Sequence, residues 1–130
     1  MATYKYKPGP HSAGAYQISG RPFLSGGTIG GGAEATISFP GVTKSITFIN
    51  TGSNPMRIHF DTSVGTAVIS QKNFIDIPAP AAGNNLNRLK LDVRCAKVYI
   101  SSASGTTYQV AAEITTIPAT DMHLTGSGIN

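Results

Sequence analysis

Two short segments of this sequence alternate strictly between apolar and polar residues, and this pattern limits the fold more than any other feature. In Met56–Asp61 and again in Arg88–Arg94, every second residue is apolar. Successive side chains of a β-strand point to opposite faces, so this spacing predicts half-buried strands. In the second segment it places Leu89, Leu91 and Val93 inside the protein and the charged residues between them outside.

Weaker alternation and short apolar runs predict further strands, and turn signals rich in Gly, Pro and Asn separate them. No stretch has a convincing helical period. About eight short strands at this spacing predict an all-β fold, either an antiparallel β-sandwich or a jelly roll, with its body in residues 33–117. The further strands are expected at Ala35–Phe39, Ser45–Ile49, Ala67–Ile69, Phe74–Ile77, Lys97–Ile100 and Tyr108–Ile117.

The two ends of the chain differ in composition from this body. Residues 1–32 contain three prolines and eight glycines among scattered apolar residues. Such a composition cannot make a core of its own, so it predicts an extended Gly/Pro-rich arm. Residues 118–130 predict a similar C-terminal tail.

The segment Leu24–Glu34 packs five glycines into eleven residues and raises the possibility of a phosphate-binding loop. It lacks the Gly-Lys-Ser/Thr ending of a P-loop and the Gly-x-Gly-x-x-Gly spacing of a dinucleotide fold. A strand pattern follows it, whereas a phosphate loop leads into a helix. The glycines therefore predict a flexible joint between arm and body.

Composition narrows the classes of function. Charged residues make up 12% of the chain, well below the usual quarter, and the net charge is +4. A surface this poor in charge suits wide contact with other chains, since few ions need desolvating. Neither a secretory signal nor an apolar run of about 18 residues is evident, so we expect no membrane segment. The single cysteine permits no internal disulfide and fits synthesis in a reducing cytoplasm.

Residue types that carry chemistry do not form a catalytic or metal-binding motif in this sequence. The histidines fall at positions 11, 59 and 123, in the arm, a strand and the tail, and the six acidic residues are isolated. Cys95 has the positively charged sequence neighbours Arg94 and Lys97, which give weak support for a reactive thiol. A small apolar filler is its expected role. We therefore predict a protein that is not an enzyme and needs no cofactor or metal.

Two binding alternatives remain open at this stage. Basic residues on the predicted strands form a possible anion-facing set that would suit single-stranded nucleic acid, with Tyr99 and Tyr108 available for stacking on bases. Asp61 and Asp92 interrupt this positive field, so nucleic acid is not the favoured partner. A carbohydrate-binding sandwich is the other alternative, although the absence of Trp counts against it. The possible anion-facing residues are Arg57, Arg88, Lys90 and Arg94.

Three segments carry a resemblance to a known class of proteins. They are Gly14–Leu24 (GAYQISGRPFL), Phe39–Asn50 (FPGVTKSITFIN) and Ile117–Ile129 (IPATDMHLTGSGI). Together they resemble small virion structural proteins of tailed bacteriophages, particularly those of marine and cyanobacterial phages. The resemblance covers most of the chain and implies a head decoration, or cement, protein on the outer capsid.

This resemblance implies a function in stabilising the capsid through contacts made by the arm. The expected partners are the major capsid protein and further copies of the chain, as a dimer or a trimer. The expected location is the capsid surface of the virion, after synthesis in the host cytoplasm. The residues expected to contact coat subunits or sister copies are Tyr4, Tyr6, Tyr16, Ile18, Arg21, Phe23, Leu24, Met122, His123 and Leu124.

Overall fold

The computed structural model describes residues 20–64, 68–80 and 86–121, and these contain eight β-strands. A 3₁₀ turn, Ala119–Asp121, follows the last strand. In this part of the chain no helix is long and apolar enough to cross a membrane. The strands are β1 (Arg21–Ile29), β2 (Glu34–Ser38), β3 (Gly41–Asn50), β4 (Met56–His59), β5 (Ile75–Ile77), β6 (Arg88–Leu91), β7 (Lys97–Ser101) and β8 (Thr106–Pro118).

The strands form two four-stranded antiparallel sheets. Sheet A has the order β1-β8-β3-β6 and sheet B the order β2-β7-β4-β5. The pairs β1–β8, β2–β7, β3–β6 and β4–β5 are nested like the two arms of one long hairpin wound around a common core. Two packed sheets of eight strands in this arrangement form a jelly roll. The predicted all-β sandwich is therefore confirmed.

The inward residues of both sheets form one core. Ile46 and Phe48 of β3 are fully buried against Ile58 and Ile100 of sheet B, within one cluster of buried residues. Leu89, Leu91 and Val93 pack against this cluster, as the alternation predicts, although β6 itself ends at Leu91. Burying one such aliphatic side chain contributes about 1.5–3 kcal/mol, so these rows hold the two sheets together.

The glycine-rich segment is not a joint, and this expectation was wrong. Arg21–Ile29 pairs with β8 along its whole length, from Arg21 opposite Ile114 to Ile29 opposite Thr106. A tight turn follows, in which the amide of Ala33 donates to the carbonyl of Gly30 at 3.0 Å. Gly32 takes a left-handed φ of 75°, which explains one glycine of the run. The part of the expected arm from residue 21 onward therefore belongs to the sheet, and the arm and tail expected in residues 1–19 and 122–130 lie outside the described residues.

One predicted strand was also wrong. Val68 and Ile69 of the predicted strand Ala67–Ile69 lie in a turn, where the amide of Asn73 donates to the carbonyl of Val68 at 2.8 Å. Val68 is nevertheless fully buried, which accounts for the apolar run. The described residues still contain eight strands, as expected, because β1 was not predicted and Val68 and Ile69 are not in a strand.

Candidate interaction surface

The outward face of sheet A is open and largely uncharged. Directly opposite residues of neighbouring strands point to the same face, so the register defines rows across the sheet. One row runs from Leu24 on β1 through Ala111 and Thr47 to Lys90 on β6. The next row runs from Gly26 through Gln109 and Ile49 to Arg88, in the same strand order.

Small residues in the middle of these rows leave an apolar trough. Gly26 has no side chain and Ala111 only a methyl group, and both lie between the larger side chains of Leu24 and Ile49. The resulting depression has a volume of about 440 Å³. Leu24 is 80% exposed, more than any other large apolar side chain in the described ranges. A single exposed leucine is ordinary on a protein surface, but this one borders an apolar depression, so we take this trough as the candidate site.

A second depression continues the trough to the start of the described chain. It has a volume of about 380 Å³, shares Leu24 and Ala111 with the first, and extends to Gly20. A Cβ atom at Gly20 would lie 2.6 Å from the Cβ of Glu113, an outward residue of β8. The backbone at Gly20, the first described residue, therefore lies at the outer face of sheet A.

Charged residues line the second depression but not the first. Arg88 and Lys90 are exposed on β6, and the Lys90 ammonium lies 4.0 Å from the carboxylate of Asp92. Lys90 and Glu113 both line the second depression, and Glu113 accepts a hydrogen bond of 3.0 Å from the hydroxyl of Ser45. The first depression has no charged residue in its lining, so a partner would desolvate few ions there.

The predicted contact residues divide into those on this face and those elsewhere. Leu24 lies on the outer face, and Arg21 is exposed at the start of β1. Phe23, also expected on the contact surface, is half-buried. Its ring packs edge-to-face on Phe39 at a centroid distance of 5.2 Å, because alternation along β1 turns Phe23 toward the core. The other predicted contact residues, Tyr4, Tyr6, Tyr16, Ile18, Met122, His123 and Leu124, lie outside the described residues.

The predicted anion-facing set is not one surface. Arg88 and Lys90 belong to sheet A and Arg94 is exposed beyond the end of β6, whereas Arg57 is on β4 of sheet B. Arg57 instead lies 5.0 Å above the ring of Phe74 and 3.9 Å from the carboxylate of Asp76.

The tyrosines proposed for base stacking are not available to a ligand. Tyr99 is 8% exposed and Tyr108 is 9% exposed. Stacking a base requires an open ring face. The described residues therefore favour nucleic acid even less than the sequence did.

A buried polar cluster on the outward side of sheet B was missed by sequence reasoning. His59 is fully buried, although alternation placed it on the polar face. Its Nδ1 lies 2.8 Å from the carbonyl oxygen of Asp61, and its Nε2 lies 2.9 Å from the hydroxyl of Ser101. A carbonyl only accepts hydrogen bonds, so Nδ1 carries a hydrogen and donates a hydrogen bond to the carbonyl oxygen of Asp61. Alternation alone could not reveal this burial, because it depends on Ser101 and Glu34, which are remote in sequence.

Glu34 connects this cluster to the loop after β4. One carboxylate oxygen accepts from the hydroxyl of Thr62 at 2.8 Å and the other from the amide of Ser63 at 2.9 Å. The second oxygen also lies 3.5 Å from Nδ1 of His59. Residues 61–63 are thereby held against sheet B, and they cover the histidine ring.

An acid, a histidine and a serine in this order raise the possibility of a nucleophilic hydrolase. Ser101 is 7% exposed and His59 is completely covered, so a substrate carbonyl has no approach to the serine hydroxyl. The Nδ1 proton goes to a backbone carbonyl rather than to the carboxylate. We therefore interpret the cluster as a structural network that holds residues 61–63 against the outer side of sheet B.

Cys95 is part of the core, as expected for a small apolar filler. It is 1% exposed, and burial raises the pKa of its thiol above the ordinary value of 9.0, opposed by its contact with the hydroxyl of Thr43 at 3.5 Å. A protonated, covered thiol is a poor nucleophile. Within the ranges that the structure describes, no group of three or more His, Cys, Asp or Glu residues could hold a metal ion.

Comparisons with known proteins add little to this geometry. No protein-family model matches the sequence, and no curated protein matches it. Among solved structures, the chain is similar to the Yersinia pseudotuberculosis-derived mitogen, with 14% identity and a TM-score of 0.36 over 73% of this chain and 86% of that chain. A similarity this weak carries no argument about function, so the candidate surface is judged on its own residues.

Proposed function

We propose that this protein is a non-enzymatic structural protein of a tailed-phage virion that decorates and stabilises the outer capsid. It binds coat subunits through residues 1–19 together with the outer face of sheet A. The observation that carries the proposal is the apolar trough at Leu24, which is continuous with the point where residues 1–19 join the body. The resemblance of three sequence segments to decoration proteins supplies the partner, the major capsid protein.

The distribution of polar groups supports a contact function for sheet A rather than sheet B. On the outer side of sheet B, Glu34 and His59 bond to the loop at residues 61–63, and a partner at this part of the sheet would have to break those bonds. The outer face of sheet A has an uncharged depression beside Leu24, with charged residues in the adjoining depression and on β6. An uncharged centre with charged residues around it is the usual anatomy of a binding surface.

The size of the trough limits what it contributes alone. A stable protein interface buries about 800 Å² on each partner, and a depression that accepts one or two side chains provides only part of that area. The remaining contact comes from the N-terminal segment, where Tyr4 and Tyr6 are the aromatic anchors. A homodimer or homotrimer around a local capsid axis adds a further contact between copies.

The structure changes how this proposal is tested. A truncation that starts at Ala33 would remove β1 and expose the edge of β8, so it would damage the body as well as the arm. The informative truncation starts at Gly20 and keeps every described strand. Purified full-length protein, this truncation and the variant Leu24→Asp are each sedimented with phage heads that lack the protein.

Saturable binding of the full-length protein, with a loss of binding in both altered forms, is the expected result. Thr36→Asp is the matched control, because Thr36 is an exposed outward residue of sheet B, and it should bind like the unaltered protein. If the truncated protein and Leu24→Asp bind as well as the full-length protein, the contact lies elsewhere. If no form binds, the capsid function itself fails.

A further inference from the structure

One edge of sheet A, formed by β1, is long and open. Sheet A ends at β1, and among the described residues no strand pairs with its free side. The strand has nine residues, and its register with β8 runs without a shift. Its charged residue, Arg21, stands at its first position. A long, regular edge with little charge is a template for pairing with another chain.

The other three edges of the two sheets are short or protected. β5 has three residues and is followed directly by Pro78, and β6 has four residues, of which Arg88 and Lys90 are exposed. β2 has five residues, and its first residue, Glu34, is bonded to the loop at residues 61–63. Short strands, prolines and exposed charges are the usual features that prevent pairing at an edge. The fold therefore leaves β1 as the edge that can pair.

The proline in β1 indicates which backbone groups face the open side. Pro22 has no amide hydrogen, and a proline within a sheet is accommodated where its nitrogen points away from the neighbouring strand. Residues of an antiparallel strand alternate in the side to which their backbone amide and carbonyl point. The amides and carbonyls of Leu24, Gly26 and Thr28 therefore also face the open side. Pro22 itself removes a donor only near the start of the strand.

We propose that β1 of a second copy of this chain pairs antiparallel with this edge, about a two-fold axis at Ser25. The sequence of β1 is self-complementary in this register. Leu24 of each copy lies opposite Gly26 of the other, and Phe23 lies opposite Gly27. Each large side chain thus meets a residue that has none, so the strands approach without crowding. The same surface serves on both copies, as a two-fold contact requires.

The ends of the paired segment also match. Arg21 of one copy lies opposite Ile29 of the other, so no like charges face each other across the contact. Pro22 lies opposite Thr28, and its carbonyl can still accept a hydrogen bond from the threonine amide. With two exchanged bonds for each central pair of leucine and glycine, the contact makes about six backbone hydrogen bonds.

Pairing at this edge keeps the outer face of sheet A exposed. The contact is made by backbone groups, and the two-fold axis is perpendicular to the sheet, so both outer faces point the same way. The two copies of sheet A then form one sheet of eight strands, β6-β3-β8-β1 followed by the same strands in reverse order. Leu24 stays on the outer face in each copy. The inference goes beyond the proposed function, because it concerns the free chain in solution and its test involves no capsid.

Cysteine cross-linking tests the register on the full chain. Ser25→Cys places two thiols directly opposite each other at the axis, in the closer of the two types of antiparallel pair. Thr28→Cys is the matched control on the same strand, because the two copies of residue 28 lie six positions, or about 20 Å, apart. The natural Cys95 is buried and should not react. On mild oxidation we expect Ser25→Cys to form a disulfide-linked dimer at least about ten times faster than Thr28→Cys.

Opposite charges at the axis test the same contact without a cross-link. Ser25→Lys and Ser25→Glu each place like charges directly opposite each other, which opposes pairing. At one protein concentration, sedimentation velocity should show a dimer of twice 13.5 kDa for the unaltered chain and a monomer for each variant alone. An equimolar mixture of the two variants should form the dimer again, which also shows that both are folded.

The possible failures each overturn the proposal. Equal rates of cross-linking at residues 25 and 28 would mean random collision and not a defined register. A chain that stays monomeric and does not cross-link would have its β1 edge covered by something other than a second copy. A dimer that persists in both charge variants would place the contact elsewhere on the protein. The register is also wrong if the mixture stays monomeric although both variants have the circular dichroism of the unaltered chain.

Discussion

His59 offers the sharpest test of how the outer side of sheet B is closed. The substitution His59→Ala removes a fully buried ring that bonds to the Asp61 carbonyl and to the hydroxyl of Ser101. The ring also stacks parallel to Tyr99 at a centroid distance of 6.0 Å. Its loss therefore removes packing and hydrogen bonds together, whereas the two bonds from Glu34 to the loop at residues 61–63 remain.

The size of the effect follows from these two contributions. Truncating a large buried side chain to alanine typically costs about 2–5 kcal/mol, and leaving a buried polar partner unsatisfied costs about 1–3 kcal/mol. The two do not add fully, because the loop at residues 61–63 can relax and admit water to Ser101. We expect a loss of about 3–4 kcal/mol in the free energy of unfolding, against a total of about 5–15 kcal/mol for a domain.

Urea unfolding followed by circular dichroism measures this loss, and the neighbouring residue provides the control. Arg57→Ala, on the same strand, removes a partly exposed ion pair of 3.9 Å and a contact with the ring of Phe74. It should cost about 1 kcal/mol or less. If His59→Ala costs no more than Arg57→Ala, the buried histidine does not stabilise the fold and our interpretation of the cluster as a structural network is wrong.

Three further predictions concern other parts of the fold. Asn50→Ala should cost about 3 kcal/mol in urea unfolding, since Asn50 is fully buried and its amide donates to two backbone carbonyls and accepts from a backbone amide and a threonine hydroxyl. Cys95 should react with a thiol reagent only on unfolding. Because the pKa of its thiol is raised in the folded state, the stabilising contribution of the protonated thiol is complete below pH 9.0 and is lost as the pH rises through the folded-state pKa. Measurements of the free energy of unfolding across alkaline pH would show this loss. Gly105→Ala should lower the melting temperature more than Gly32→Ala, because both have positive φ but a Cβ at Gly105 would also lie 3.0 Å from the carbonyl oxygen of Ile29, whereas the space at Gly32 is open.

The sequence predicted the fold class because the strongest strands carry their signal locally. Leu89 and Leu91 alternate with Arg88 and Lys90, and the structure buries and exposes them accordingly. This pattern requires only that one face of a strand meets the core, so it can be recognised without knowing the partner strand. The order of the strands within the sheets has no such local signal.

The strand that sequence reasoning missed shows the limit of that signal. Along β1 the inward positions are Phe23, Ser25, Gly27 and Ile29, so only the two ends of the inward row are large and apolar. The strand forms because β8 offers a continuous row of backbone partners, and that partner lies far away in the sequence. Gly26 and Gly27 have no side chains and so show no strand pattern in the sequence, which is why they were interpreted as a joint. A strand stabilised by backbone pairing needs few large side chains.

The candidate site was predicted in part for the same reason. Leu24 could be chosen from sequence as a contact residue of the arm, but the trough beside it requires Ala111 and Ile49 from two other strands. His59 was placed correctly on the outward face of β4, yet its burial depends on Glu34 and on the loop at residues 61–63. Contacts between remote segments decide both features.

The two outer faces of the sandwich differ in what a partner would have to displace. On sheet B, reaching His59 and Ser101 means breaking the charge-assisted bonds from Thr62 and Ser63 to Glu34, each worth about 1.5–3 kcal/mol. On sheet A, Leu24 is already exposed to water and covering it is favourable, by about 25 cal/mol for each Å² removed from solvent. Both the cost on sheet B and the gain on sheet A are properties of the free protein, so their signs do not depend on which partner binds. A contact at Leu24 is therefore favoured over one at the part of sheet B that the loop at residues 61–63 adjoins.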